Sequence, residues 1–156
     1  MRRPLSVHVF LVCQHEQQLQ YLILHRKPRP ELDLPAFHQG VSGALEHGEQ
    51  FADAALREVR EETGYALDEV WPTGYAHAFA IKPQWRAHYG PGPQQVEEHV
   101  FVGDVTGRGN PVLSEEHGAW QWLTLQQALS LLDYGHVREC LLQADQFLST
   151  QRVPTA

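Results

Sequence analysis

The sequence predicts a layered domain of the α/β (α+β) class. Three observations indicate it: apolar segments typical of strands precede a central helical segment, further strand-like segments follow it, and two helical segments close the chain. A chain of 156 residues is long enough for one domain with a proper core and too short for two. We therefore assign residues 1–149 to a single domain and residues 150–156 to a C-terminal tail that we expect to fray.

Two apolar strands joined by a polar turn are predicted at the start of the chain. Leu5 to Cys13 is rich in β-branched and apolar side chains, and Gln20 to His25 follows the polar stretch His15 to Gln18, so we expect a β-hairpin. Lys27 to Pro35 contains three prolines and is predicted to be a loop. Phe37 to Ser42 is expected to form one short strand.

A helix is predicted from Gln50 to Thr63. Apolar residues recur along it at three- and four-residue spacing, and Gly64 follows its last turn, where a left-handed cap favours glycine. Glu58, Glu61 and Glu62 lie at i, i+3 and i+4 and project from one face. Carboxylates that converge from one turn suit hard divalent ions such as Mg²⁺ or Mn²⁺. An isolated helix of this composition would more often be a solvated face whose glutamates pair with arginines.

Strands and helices continue after this helix. The predicted strands are Glu69 to Ile81 (one long or two short strands), His99 to Val105, opened by Glu97 and Glu98, and Ala119 to Leu123. The predicted helices are Thr124, as the capping residue, to Leu132, and Val137 to Leu148.

The long segment from Lys82 to Val96 is predicted to be a loop with a function. It combines prolines and glycines with Trp85, Arg86, His88 and Tyr89, which supply flat rings for stacking and cations for phosphate. The alternative is an ordinary surface loop. Arg26, in a basic run at the end of the second strand, is either a second phosphate contact or an ordinary basic strand end.

The composition restricts the classes of molecule that the chain can be expected to bind. A net charge of −7 argues against a nucleic-acid duplex or an anionic membrane surface, whereas a polyphosphate remains compatible if metal ions screen its charge. The two isolated cysteines, Cys13 and Cys140, do not make a disulfide framework, so we expect a reduced, cytoplasmic chain. No segment approaches the length of a membrane span. A monomer and a homodimer are equally compatible with the sequence.

The spacing within Gly43 to Tyr65 is more specific than its composition. The stretch GALEHGEQFADAALREVREETGY fits G-x5-E-x7-R-E-U-x-E-E-x-G-U, where U is a bulky apolar residue, with Tyr65 in place of the usual aliphatic residue at the end. It resembles the box that defines the Nudix hydrolases. The resemblance implies a mixed sheet sandwiched between helices, with the box forming a loop-helix-loop catalytic motif. It also implies hydrolysis of a nucleoside diphosphate linked to another moiety.

The resemblance assigns roles within the box. Glu58, Glu61 and Glu62 would be the metal ligands, together with the carbonyl of Gly43, and the cofactor would be Mg²⁺ or Mn²⁺. Glu61, Glu62 or an acid outside the box would position or deprotonate the attacking water.

The other charged residues in and near the box are expected to have different roles. Glu49 and Arg57 are expected to form a structural pair that ties the loop to the helix, and Glu46 is expected to be exposed to solvent. Outside the box, Glu98 is the first choice to complete the metal site or act as general base. The alternative for Glu98 is an ordinary charged strand start.

Short patches outside the helix narrow the resemblance. The patch that leads into the box has the form F-x-Q-x-V-x-G-x-x-E-x-G-E. With the patches further on, it resembles the corresponding segments of the bacterial dihydroneopterin triphosphate pyrophosphohydrolase subgroup. The matching residues are Phe37, Gln39, Val41, Gly43, Glu46, Gly48 and Glu49, with Tyr89, Pro91, Gly92 and Glu98 further on. The products would be a monophosphate and pyrophosphate. The alternatives are a broad nucleoside-triphosphate or dinucleoside-polyphosphate hydrolase, a non-catalytic nucleotide sensor, and an acidic domain that merely binds cations.

Overall fold

The computed structural model describes residues 1–151, and within them seven strands and four helices form. In chain order these are β1 Leu5–His15, β2 Gln18–Arg26, β3 Phe37–Gln39, β4 Val41–Ala44, α1 Phe51–Thr63, β5 Trp71–Ala80, α2 Arg86–Tyr89, β6 Gln95–Asp104, β7 His117–Leu123, α3 Leu125–Leu131 and α4 Gly135–Gln151.

The strands form one mixed sheet. Its order is β3-β2-β1-β6-β5, with β4 paired to β1 and β7 paired to β2. β1 and β6 run parallel, and the other pairs are antiparallel. β1 lies at the centre and is buried from Ser6 to Val12, as expected of a strand covered on both faces. The predicted hairpin is confirmed, with Val12 of β1 opposite Tyr21 of β2.

Helices cover both faces of the sheet. Successive side chains of β1 point to opposite faces. Val9 therefore belongs to the core cluster that contains Val59 of α1, whereas Phe10 belongs to the cluster that contains Ala128 of α3 and Leu141 of α4. The predicted mixed sheet between helices is confirmed.

The prediction of one strand from Phe37 to Ser42 was wrong, because Gly40 divides this segment into β3 and β4. β3 pairs with β2, and β4 crosses to pair with β1. The backbone N–H of Gly40 donates to Nε2 of His8 at 3.0 Å. A Cβ at this position would overlap the Val9 carbonyl and the Phe10 ring, so the crossover requires glycine.

The segment from Lys82 to Val96 was wrongly predicted to lack regular structure. It contains a 3₁₀ turn, Pro83–Trp85, followed by α2. Proline at the start of this turn supplies the required φ without losing a hydrogen bond. β6 begins at Gln95 because its pairing with Ala80 of β5 extends the ladder, so Glu97 and Glu98 lie inside the strand and do not precede it.

The last helix is longer than predicted. α4 begins at Gly135 and continues through Thr150 to Gln151, so the first residues of the predicted tail are helical. The rest of that tail, 152–156, lies outside the described residues. None of the helices in the described part of the chain, α4 included, combines the length and apolar character needed to cross a bilayer.

Candidate active site

α1 and the loop before it hold the acidic cluster. Gln50 caps the helix, and its backbone N–H donates to Asp53 Oδ2 at 2.9 Å. Gly64 ends the helix with a φ of 78°, as predicted from its position after the last turn. The two caps fix where the helix begins and ends and therefore the position of its carboxylates along the chain.

Arg57 connects this helix to the loop. Its side chain is 15% exposed, and its Nε lies 2.7 Å from Glu49 Oε2. Nη1 lies 2.7 Å from Glu58 Oε1 and 3.1 Å from Glu61 Oε2, and Nη2 donates to the carbonyl of Ala44 at 2.9 Å. Hydrogen bonds to Glu49 and Glu58 raise the pKa of Arg57, although burial opposes this. The structure thus places Glu49 and Arg57 together and adds both helix glutamates to the pair.

Glu46 is the least enclosed acid of the loop. Its side chain is 61% exposed, in agreement with the expectation, although one oxygen lies 3.2 Å from Arg57 Nε. An exposed ion pair of this kind contributes little to stability.

Glu62 is the most unusual carboxylate of the site. It is 1% exposed, and neither of its oxygens has a hydrogen-bond partner. Burial raises its pKa, and the neighbouring Glu58 raises it further. If one of these two carboxyl groups carries a proton, it can donate that proton to the other. If both are ionised, neither has a proton to donate. Buried carboxylate oxygens without partners are costly, and a bound cation would offset that cost.

Gly43 lies directly against Glu58. A Cβ built on Gly43 would overlap the Glu58 carboxylate, so the glycine lets this carboxylate reach the loop backbone. The carbonyl of Gly43 accepts a hydrogen bond from Ser6 Oγ at 2.9 Å. Carbonyl and carboxylate oxygens form the donor set that hard divalent cations prefer. Gly43 and Glu58 therefore offer neighbouring oxygens that fit such a cation, whereas the described residues Glu58, Glu61 and Glu62 do not converge into one group of ligand atoms.

We expect Gly43→Ala to lower turnover by about tenfold to a hundredfold through displacement of the Glu58 carboxylate. Gly43 does not lie in the left-handed region, and the overlapping atoms end a flexible side chain, so the melting temperature should change little. Steady-state kinetics and thermal unfolding of the same preparation check this. Gly92→Ala, which meets no atom within 4 Å, is the matched control.

Glu116, which the sequence did not single out, joins Glu62 from the turn before β7. Ligand atoms of Glu62, Glu116 and His117 lie within 4.8 Å of one another. Burial lowers the pKa of His117 to about 4, so its ring is neutral at pH 7. Glu116 comes close only because β7 pairs with β2, and its position in a polar turn gives no local signal of this.

Two adjoining cavities lie beside the box. The first has a volume of about 380 Å³, and six of its thirteen lining residues carry rings. The rings are His8, Phe37, Phe79, Trp85, Tyr134 and His136. The second cavity, of about 170 Å³, shares Phe37, Phe79 and Trp85 with the first and adds Gly43 and basic residues. The basic residues are Arg2, Arg26, Arg29 and His88. An aromatic compartment thus opens into a cationic one that reaches the box.

The predicted substrate residues divide into two groups. Arg26, His88 and Tyr89 line the cationic cavity. Arg86 lines neither cavity and instead donates to the carbonyls of Gly90 and Pro93, which fixes the fold of its own loop.

Two arginines of the cationic cavity, Arg2 and Arg29, were missed in the sequence. The backbone N–H of Arg2 donates to the carbonyl of His88 at 2.7 Å, and its guanidinium lies 5.8 Å from the centre of the Tyr89 ring. This contact brings the N-terminal segment to the cavity, and it depends on tertiary packing with no signature in the local sequence.

Glu98 lines both cavities and is 4% exposed. His77 Nε2 lies 2.9 Å from its Oε1, and Ser6 Oγ lies 3.1 Å from its Oε2. Burial alone would raise the pKa of Glu98, but the hydrogen bond with His77 and the nearby His8 ring lower it well below the usual range. The side chain is therefore a fixed, ionised hydrogen-bond acceptor in the cavity wall.

Comparison with known proteins identifies the family. The model of the NUDIX domain matches residues 2–144. The chain therefore belongs to the Nudix hydrolases, a family that acts on phosphoric anhydride bonds of small-molecule nucleotides and generally uses divalent metals.

Two relatives and one solved structure illustrate the similarity. A dihydroneopterin triphosphate diphosphatase of Escherichia coli strain K12 is 30% identical over 91% of this chain and 92% of its own length. The solved structure of the E. coli dihydroneopterin triphosphate pyrophosphohydrolase is 28% identical, with a TM-score of 0.74 over 91% of this chain and 94% of that chain. The resemblance to that subgroup is thus confirmed.

A Myxococcus xanthus protein named octanoyltransferase is 32% identical over 89% of this chain. This chain spans only 36% of the length of that relative. The similarity therefore concerns a segment of the larger protein.

Proposed function

We propose that the protein is a divalent-metal-dependent pyrophosphohydrolase. Its substrate would be a ring-bearing triphosphate, with dihydroneopterin triphosphate as the first candidate, and its products a monophosphate and pyrophosphate. One observation carries the proposal: the ring-lined cavity opens into the arginine-lined cavity, and Gly43 of the box lies in the wall of the latter. A substrate with a flat ring and a chain of phosphates would match this order, with its ring in the first cavity and its phosphates in the second.

The box supplies the groups that would hold the cation. They would be Glu58, Glu61 and Glu62 with the carbonyl of Gly43, and Glu116, in the turn before β7, lies close to Glu62. A bound Mg²⁺ or Mn²⁺ offsets negative charge on the attacking and leaving oxygens. Glu61, whose side chain is 54% exposed, and Glu62 are the carboxylates that would position the attacking water or accept its proton.

The cavities would orient the substrate on either side of the reacting bond. Trp85 and Phe79 offer ring faces for stacking, which contributes about 1–3 kcal/mol per base in other ring-binding sites. Arg26 and Arg29 offer guanidinium groups that pair with phosphate oxygens. Enclosure by the ring walls would also exclude water from one side of the phosphates.

A panel of substrates tests this proposal. The purified protein is offered dihydroneopterin triphosphate, common NTPs and dNTPs, ADP-ribose and diadenosine polyphosphates, with Mg²⁺ or Mn²⁺, and pyrophosphate and phosphate are measured separately. We expect a clear preference for the pterin triphosphate with release of pyrophosphate. Broad, weak turnover would instead support a housecleaning hydrolase, and binding without turnover would support a sensor.

A further inference from the structure

The lining that the two cavities share contains a carboxylate from outside the box. Glu98 lies on β6, opposite His77 of β5 and beside Ser6 of β1. With Ser42 it lines both the aromatic and the cationic cavity. A ring held between the aromatic walls would therefore have this carboxylate at its edge.

His8 and His77 both lie close to one oxygen of this carboxylate. The backbone N–H of Gly40 donates to His8 Nε2 at 3.0 Å, so this nitrogen is the acceptor and the proton of the neutral ring lies on Nδ1. Nδ1 lies 3.6 Å from Glu98 Oε1, and His77 Nε2 lies 2.9 Å from the same oxygen. His77 thus lies within hydrogen-bond distance of Oε1, whereas His8 approaches the same oxygen without a hydrogen bond, so Oε1 can still accept from a ligand.

The other oxygen, Oε2, retains capacity to accept. Ser6 has a single hydroxyl proton, and it can go to Glu98 Oε2 at 3.1 Å or to the Gly43 carbonyl at 2.9 Å. Ser42 Oγ is more distant, at 3.4 Å. A carboxylate accepts about four hydrogen bonds, so donors of a ligand can still be satisfied at Glu98.

We propose that Glu98 selects substrates whose ring edge presents adjacent N–H and amino donors, the edge shared by guanine and pterins. The inference rests on the proposed function, since it requires that the aromatic cavity receives the substrate ring. The carboxylate accepts from both donors, and the Ser42 hydroxyl can donate to the neighbouring ring carbonyl. Adenine places an unprotonated ring nitrogen against the carboxylate, so two acceptors would face each other without a proton.

Hydrolysis of GTP and ITP tests this selectivity, because ITP lacks only the 2-amino group. We expect the wild type to prefer GTP by about tenfold or more in kcat/KM, since a hydrogen bond to a charged acceptor contributes an effect of this size. In Glu98→Gln the GTP/ITP ratio should approach one, mainly through KM. The matched control is Glu97→Gln, at the exposed neighbouring position, and it should keep the wild-type ratio.

An equal fall of kcat on both substrates with an unchanged ratio would overturn the inference, because it would assign Glu98 to the metal or the base. Binding of GMP, IMP and AMP to the wild type, followed in EDTA by tryptophan fluorescence, separates this inference from the proposed function and does not need the variant to fold. Preference for GMP without any turnover would contradict the proposed function and support the ring selectivity. Turnover together with equal binding of GMP, IMP and AMP would support the proposed function and contradict the ring selectivity.

Discussion

Replacing Glu62 with glutamine is expected to lower hydrolysis by about 100- to 1,000-fold and to leave the protein folded. Both oxygens of Glu62 are buried without a hydrogen-bond partner, beside Glu58 and within reach of Glu116 and His117. A buried carboxylate without a donor serves the fold poorly, so its expected role is to bind the cation. Glutamine preserves the shape and removes the charge.

The stability of Glu62→Gln distinguishes this role from a structural one. Because burial disfavours the charged form, the variant should melt in EDTA at a temperature equal to or above that of the wild type. It should also gain less stability than the wild type when Mn²⁺ is added. Glu69→Gln, an exposed glutamate beyond the helix, is the control for the charge change. Near-normal turnover of Glu62→Gln would refute its assignment as a metal ligand. The Glu61→Gln variant is also expected to lose hydrolysis.

Replacing Arg57 with glutamine is expected to lower both activity and stability. The guanidinium bridges Glu49 and the Ala44 carbonyl of the loop to Glu58 and Glu61 of the helix. Loss of this partly buried cation would leave several carboxylates facing one another, at a cost of about 2 kcal/mol in the free energy of unfolding. Turnover should fall by about 100-fold because Glu58 and Glu61 lose the group that orients them.

Chemical denaturation and steady-state kinetics of Arg57→Gln measure the two effects. Arg60→Gln removes an exposed arginine from the same helix and should change neither quantity appreciably. A variant that loses stability but keeps the wild-type kcat in Mg²⁺ would contradict a positioning role for Arg57. It would limit the residue to tying the loop to the helix.

The box could be predicted from the sequence because its information is local. Helical periodicity, the cap at Gly64 and the spacing of the three glutamates all lie within one loop and one helix. The shared helix face of Glu58, Glu61 and Glu62 follows from 3.6 residues per turn. It does not follow from that periodicity that Glu62 is buried while Glu61 is exposed, because the difference depends on what packs against the helix.

The rest of the site depends on pairing between distant strands. Glu116 reaches Glu62 only through the pairing of β7 with β2, and the face of β6 that carries Glu98 is set by its register with β1 and β5. The aromatic cavity likewise gathers Phe37, Phe79 and Tyr134 from three separate regions of the chain. Such contacts leave no periodic pattern in a single sequence, which is why Arg86 was predicted to face the substrate and Arg2 was not.

Hydrolysis of dihydroneopterin triphosphate with and without a divalent cation tests the central claim most directly. The wild type is assayed with Mg²⁺, with Mn²⁺ and in EDTA, and pyrophosphate and orthophosphate are quantified separately in each reaction. We expect stoichiometric release of pyrophosphate that requires the cation and is restored when the cation is added back after EDTA. Turnover that persists in EDTA, or release of orthophosphate in place of pyrophosphate, would contradict it.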